Sequence, residues 1–327
     1  MAAALGAVAI GLLAAAVSYA LFPITHGADF AQFHYHARAW LAGKDPYSGG
    51  FPIMRATRVV PEPLFYPFPT LLAVAPFAML PLRLAGAAFM GVSSAVLAYG
   101  VIRRAPHQLP MFLGAGYIVS LGLGQWTPLV SATFIVPGLA WLAVLKPNVG
   151  LAVTAAKPTW AGILGGGALL VGTLALQPNW PVEWIRNLHA MPAHPAPILV
   201  PSGFVLLLAL VRWRRPEARL VAAIALVPQL MYFCDQLPLW LVPHTRRESM
   251  LLSATSVIAW VSAMILAARQ GRQPAFNSDW FVLLGVYLPA MVMVLRRQNE
   301  GWLPAAIERR IDGLPRWLAG ARLSDEE

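Results

Sequence analysis

Residues 26–50 read HGADFAQFHYHARAWLAGKDPYSGG and gather His26, Asp29, His34, His36, Arg38, Lys44 and Asp45 in a chain with only 12% charged residues. Read as a helix over 29–41, the stretch aligns Phe30, Phe33, Ala37, Trp40 and Leu41 as one apolar stripe, as for a helix lying on a membrane. Asp29 opens that helix with Gln32 three residues on, which is capping-box spacing. A carboxylate there stabilises a helix start by about 1 kcal/mol. The same carboxylate can also face a substrate, and the two roles are compatible. His34 and Arg38, four apart, share one helix flank. Arg38, Lys44, Arg55, Arg58 and Arg83 all fall between the first two apolar runs, which calls for an anion. Lipid headgroups are one such partner; a carrier-lipid phosphate is another, because guanidinium forks match phosphate oxygens in bidentate geometry.

Other chemistries have less to stand on. His34 and His36 are two apart and point to different helix faces, and no Cys, Asp or Glu stands at a metal-ligand spacing. No metal and no cofactor is expected. The chain has no G-x-S-x-G and no glycine loop followed by Lys-Ser/Thr, so hydrolase and P-loop readings lack their motifs.

The elements that must position these groups are greasy. The 327 residues are 58% hydrophobic, with a mean hydropathy of +0.62. Soluble domains carry roughly twice this share of charge, so lipid is the expected solvent. Apolar runs predict about ten spans at 3–22, 84–102, 108–122, 127–145, 160–176, 198–212, 218–234, 236–245, 250–268 and 279–295. The fold class is all-α and multi-pass: a membrane domain over 1–295, a first outer loop at 23–83 and a polar cytoplasmic tail at 296–327.

The clusters Arg103-Arg104, Arg212 to Arg219 and Arg246-Arg247 alternate as cytoplasmic. About 16 of the 24 Lys and Arg then face inward and about 8 outward, with the N-terminus inside. Net charge +10 is therefore topogenic rather than a nucleic-acid footprint. The proline-rich apolar segment 67–82 reads as a re-entrant or interfacial helix, and 177–197 as a second outer loop in the headgroup layer. Lone Cys234 allows no internal disulfide.

DFAQFHYHARAWLAGKDPYS followed by PLFYPFPTLLAVAPFAMLP resembles the first outer loop of bacterial polyprenyl-phosphate-mannose-dependent mannosyltransferases with the type C glycosyltransferase fold. The matching positions are Asp29, Phe30, Tyr35, Gly43, Pro46, Tyr47, Tyr66, Pro67 and Leu80-Pro81. Phe68 stands in place of a second family proline, and Pro69 follows. GLGQWTPLV around Gln125 and LAVLKPNVGLAV around Lys146 are similar to the family's Gly-Gln and Leu-Lys-Pro elements. VPQLMYFCDQLPLWL is similar to a late element ending in Asp235, with Val227 and Cys234 replacing a Ser and a Tyr. The resemblance covers roughly residues 1–245.

It implies an enzyme of the bacterial inner membrane, acting on the extracytoplasmic side. The enzyme would move a sugar, mannose above all, from a polyprenyl-phosphate donor to a lipid or glycan hydroxyl with inversion. Asp29 would be the general base. His34, Arg38, Arg55 and Arg58 are expected to meet the donor phosphate, and Tyr35, Tyr66, Gln125 and Asp235 the sugar or acceptor. Lys146 and Lys157, each before a proline, are expected to snorkel to inner headgroups. Membrane lipids are the other partners, and nucleic acid is excluded. The rivals are a non-catalytic membrane protein of the same fold and a lipid-carrier transporter. A transporter would scatter polar residues through its spans, whereas here the ionisable groups concentrate in one loop.

Overall fold

The computed structural model describes residues 1–26, 28–55, 58–190, 194–272, 278–301 and 320, with the side chains of 28, 53–55 and 58–60 excepted. Helix makes up 75% and strand 2%. In chain order come α1 (Ala2–Thr25), α2 (Ala28–Leu41), the hairpin β1 (Phe51–Arg55) and β2 (Arg58–Glu62), α3 (Phe68–Ala78) and α4 (Leu82–Arg104). Next are α5 (Ala115–Leu123), α6 (Thr127–Ile135), α7 (Pro147–Ala156), α8 (Trp160–Gly172) and α9 (Trp180–His189). The last are α10 (Pro216–Leu226), α11 (Arg246–Gln270), α12 (Asp279–Val282) and α13 (Leu288–Leu295). Three-ten turns fill Pro106–Leu113, Pro137–Leu145, Gly203–Arg212 and Leu237–Leu241.

Among the described residues three helices are long and apolar enough to cross a bilayer: α1, α4 and α11. A fourth candidate is the pair Trp160–Ala175 and α9, bent by 102°. α11 shows why such a helix starts where it does. Thr245 Oγ1 accepts from the Glu248 amide at 3.1 Å, while Glu248 Oε2 accepts from the His244 amide at 2.7 Å. Gly271, at φ 62°, closes its end.

The expected crossing at 127–145 is a correction. α6 runs nine residues, Val136 turns extended ahead of Pro137, and the three-ten turn Pro137–Leu145 returns the chain along α6. Proline removes the amide a continuing helix would need, which breaks the segment in the middle. Its two ends therefore meet instead of lying on opposite sides of a membrane. Likewise 198–212 holds the end of a short three-ten turn, Pro197–Leu199, and a ten-residue three-ten run, roughly 20 Å of rise.

The chain forms two compact units, one of residues 1–106, 117–151 and 159–194, the other of residues 107–116, 152–158 and 195–327. In the first, α1 packs on α4 through small residues. A Cβ added to Gly11 would stand 2.7 Å from the Gly91 carbonyl oxygen. The apolar stripe of α2 goes into protein, not lipid. Phe30, Phe33 and Ala37 are fully buried; the Phe30 ring stacks on Phe89 at 5.1 Å, and Trp40 meets Phe68 edge-on at 5.2 Å. Trp40 is half-buried and Leu41 exposed.

In the second unit Gln108 donates to the Leu241 and Pro243 carbonyls, and Trp240 Nε1 to Ser253 at 3.0 Å. The basic run after residue 211 is spent on backbone carbonyls. Arg212 donates to Leu295, Arg214 to Gly301 and Arg219 to Ala156. Of the expected tail, residues 302–319 and 321–327 lie outside the described part.

Candidate functional site

Three segments of the first unit bring Asp29, Gln125 and Lys146 together. α2 carries Asp29 in its first turn. The turn between α5 and α6 carries Gln125, and Gly124 at φ 68° makes that turn, a conformation that costs a side chain but not glycine. Lys146 ends the three-ten turn that returns along α6. Gln125 Nε2 donates to Asp29 Oδ2, and Lys146 Nζ donates to Gln125 Oε1 at 2.6 Å. The ammonium also reaches Thr127 Oγ1 at 3.5 Å. Asp29 is half-buried, whereas Gln125 and Lys146 are each 3% exposed.

Packing holds this chain of polar groups in place. Trp126, next to Gln125 and fully buried, meets Phe89 at 4.7 Å and Phe33 of α2 at 5.8 Å. The Thr70 hydroxyl of α3 donates to the Leu145 carbonyl at 2.8 Å, beside Lys146. Gly150 lies so close to Ala143 that an added Cβ would fall 1.8 Å from its carbonyl oxygen, so the turn around Lys146 closes only on glycine.

The capping-box expectation is corrected in part. α2 opens at Ala28, so Asp29 is inside the first turn rather than ahead of it. Gln32 does not reach back; its amide donates to Glu62 Oε2 at 3.3 Å and the Pro63 carbonyl at 3.1 Å. Lys146 is corrected too: the expected snorkelling cation is a buried partner of Gln125. Lys157 is exposed.

The residues expected at the donor phosphate divide. His34 is 5% exposed and its Nε2 pairs with the Leu80 carbonyl at 2.9 Å. Burial lowers its pKa, the Leu80 bond opposes that, and the Arg38 charge lowers it further, so His34 sits below the ordinary histidine value. His36 behaves alike: its Nδ1 pairs with the Pro46 carbonyl at 2.8 Å, and burial lowers its pKa. Arg38 is exposed, one helical turn beyond His34. Arg55 and Arg58 face each other across the β1–β2 pairing. No group of three or more His, Cys, Asp or Glu able to hold a metal occurs among the described residues.

Tyr66 is half-buried, edge-on to Phe33 at 4.5 Å. Its backbone is fixed by the Tyr47 hydroxyl, which donates to the Tyr66 carbonyl at 2.9 Å. From α9, Trp184 Nε1 donates to Phe65 at 2.9 Å and Asn187 to Leu64 at 3.1 Å, clasping the same strand of chain. Tyr35 is exposed, edge-on to Phe51 at 5.6 Å. Asp235 belongs to the second unit, 4% exposed, with Cys234 Sγ 3.9 Å from its Oδ1.

Sequence reasoning missed Lys146 and Thr127 as members of the site. A signal was available: Pro137 in the middle of an apolar run marks a reversal, which brings the residues flanking that run together. No family model, curated protein or solved structure matches the chain.

Proposed function

We propose that this chain is a membrane glycosyltransferase moving a sugar from a polyprenyl-phosphate donor to an acceptor hydroxyl, with Asp29 as general base and inversion at the anomeric carbon. The observation that carries the reading is the run Asp29–Gln125–Lys146, built from three segments distant in sequence. A hydroxyl is a poor nucleophile until a carboxylate takes its proton, and that carboxylate must be ionised. An amide N–H on Asp29 stabilises the ionised form.

On this reading Arg38, exposed on α2, is the described cation that meets the donor phosphate. His34 moves to a supporting role, because its Nε2 is already engaged with Leu80. Tyr66 and Gln125 flank the sugar. Mannose and the extracytoplasmic face of a bacterial inner membrane follow from the sequence resemblance and the Lys/Arg asymmetry.

The test is transfer by the purified protein from radiolabelled polyprenyl-phosphate mannose into a membrane lipid extract. A labelled lipid or glycan is expected. No transfer to any acceptor would leave a silent subunit of the same fold as the better account.

A further inference from the structure

We propose that Lys146 is a positioning residue for Asp29: through the Gln125 amide it sets both the direction and the ionised state of that carboxylate. The proposal rests on Asp29 being the base of the reaction above.

The argument starts from what each group can do. An ammonium only donates, and an ionised carboxylate only accepts. Gln125 stands between one of each, so its Oε1 must turn to Lys146 and its Nε2 to Asp29, as the hydrogen bonds run. On that side the ammonium is the donor that fixes Gln125 Oε1. A flipped amide would turn its oxygen on the Asp29 carboxylate and repel it. Lys146 therefore acts as a lock on an amide, and the amide as a lock on the base.

Burial separates this role from a catalytic one. Lys146 is 3% exposed, with Nζ donating to Gln125 and Thr127. Its position comes from the reversal at Pro137, the Thr70–Leu145 bond and the Ala143–Gly150 approach, none of which needs the ammonium. The charge has been brought into the interior to sit one amide away from a carboxylate. Its field favours the ionised form of that carboxylate.

Other ionisable groups around α2 are few. α2 itself carries His34, Tyr35, His36 and Arg38; Glu62 bonds Gln32; β1 ends in Arg55 and β2 begins with Arg58. α3 has no ionisable side chain. α4 brings Arg83, which is held by the Tyr19 carbonyl at 3.0 Å and lies over the Tyr19 ring at 3.7 Å. Tyr117 of α5 donates its hydroxyl to Ser94 at 2.8 Å.

The test reads the carboxyl directly. Dicyclohexylcarbodiimide modifies protonated carboxyls in apolar surroundings, so labelling of Asp29 in the detergent-solubilised full chain, scored by peptide mass spectrometry against pH, reports its protonation. Lys146→Gln should raise the labelling midpoint by roughly 1–2 pH units, the effect of one charge removed at the length of an amide. Lys146→Arg should restore it most of the way. Gln125→Leu, which cuts the bridge but keeps both charges, should raise the midpoint less; it decides the matter if Lys146→Gln does not fold. A midpoint unchanged from wild type in a folded Lys146→Gln, or failing that in Gln125→Leu, overturns the proposal. Transfer measured on the same preparations separates the two ideas. If Asp29→Asn abolishes transfer while the midpoint stays fixed in Lys146→Gln, the coupling falls and the base assignment stands. If the midpoint moves but wild-type protein transfers nothing, the coupling stands and the assignment falls.

Discussion

Asp29 in the first compact unit and Asp235 in the second both sit among side-chain amides, and the two clusters are built differently. In the first unit Gln125 meets a donor at one end and an acceptor at the other, so every bond in the run reinforces one arrangement. In the second, Gln229 and Gln236 beside Asp235 turn their nitrogens to backbone carbonyls. Gln229 donates to Ile224 and Val227, and Gln236 to Leu230 and to Gln229 Oε1. Those bonds secure a stretch of chain that leaves helical geometry after α10, with Phe233 at φ 68°. The Tyr287 hydroxyl faces the same amides from the end of a π-helical turn, Leu283–Tyr287. It is set against the side chains of both Gln229 and Gln236. One cluster is arranged around a charge, the other around a backbone. Similar residue types therefore do different work according to where their donors are spent.

The comparison breaks first at Asp29. On the proposed mechanism Asp29→Asn removes the base, so transfer should fall roughly 10²–10⁴-fold in protein that still folds in detergent. Its melting temperature should be lowered, because the buried Lys146 ammonium loses its carboxylate. Retention of most of the activity would reduce Asp29 to a structural residue and end the contrast.

Lys146→Met comes next. Taking away one partner of a buried charged arrangement costs roughly 3–5 kcal/mol, seen as a large drop in melting temperature. A loss below about 1 kcal/mol would put Lys146 in the class of surface cations, against its burial.

The histidines give a smaller, signed effect. His34 and His36 have pKa values lowered by burial, so the folded state binds fewer protons than the unfolded chain. Their contribution is fully present above the ordinary value near 6.5 and is lost as pH falls from there toward their folded values. Melting temperature should decline over that window in wild type, and less steeply in a His34→Gln, His36→Gln double variant. A parallel decline in both proteins would show that other groups set it.

The smallest change is expected in the second cluster. Tyr287→Phe deletes a hydroxyl set against the neutral amides of Gln229 and Gln236, so stability should fall by no more than about 1 kcal/mol, the worth of one neutral hydrogen bond. A larger loss would mean that this cluster, too, is organised around its polar atoms.

Much of the local chemistry was legible from residue types alone. The helix expected over 29–41 follows from short-range rules and appears as α2, while the span expected over 250–268 lies within the longer α11, which takes in Arg246 and Arg247. The apolar stripe of α2 was read correctly as a stripe, yet its partner was not. Phe30 and Phe33 look the same whether they face lipid or Phe89 and Trp126, because apolar periodicity fixes a face and not what covers it.

What the sequence by itself determined is a charge-poor, mostly helical chain with apolar runs of membrane length and a cluster of ionisable groups around Asp29. Only the tertiary structure decided that Lys146 belongs with Asp29. The run 127–145 has the length and hydropathy of a span, and a span would separate its ends by the thickness of a bilayer. Pro137 breaks it, the returning turn packs along α6, and 20 residues of chain bring Gln125 back to Lys146 within 2.6 Å. Composition over a window cannot register that reversal, since a hairpin and a straight crossing of equal length hide the same apolar surface from water.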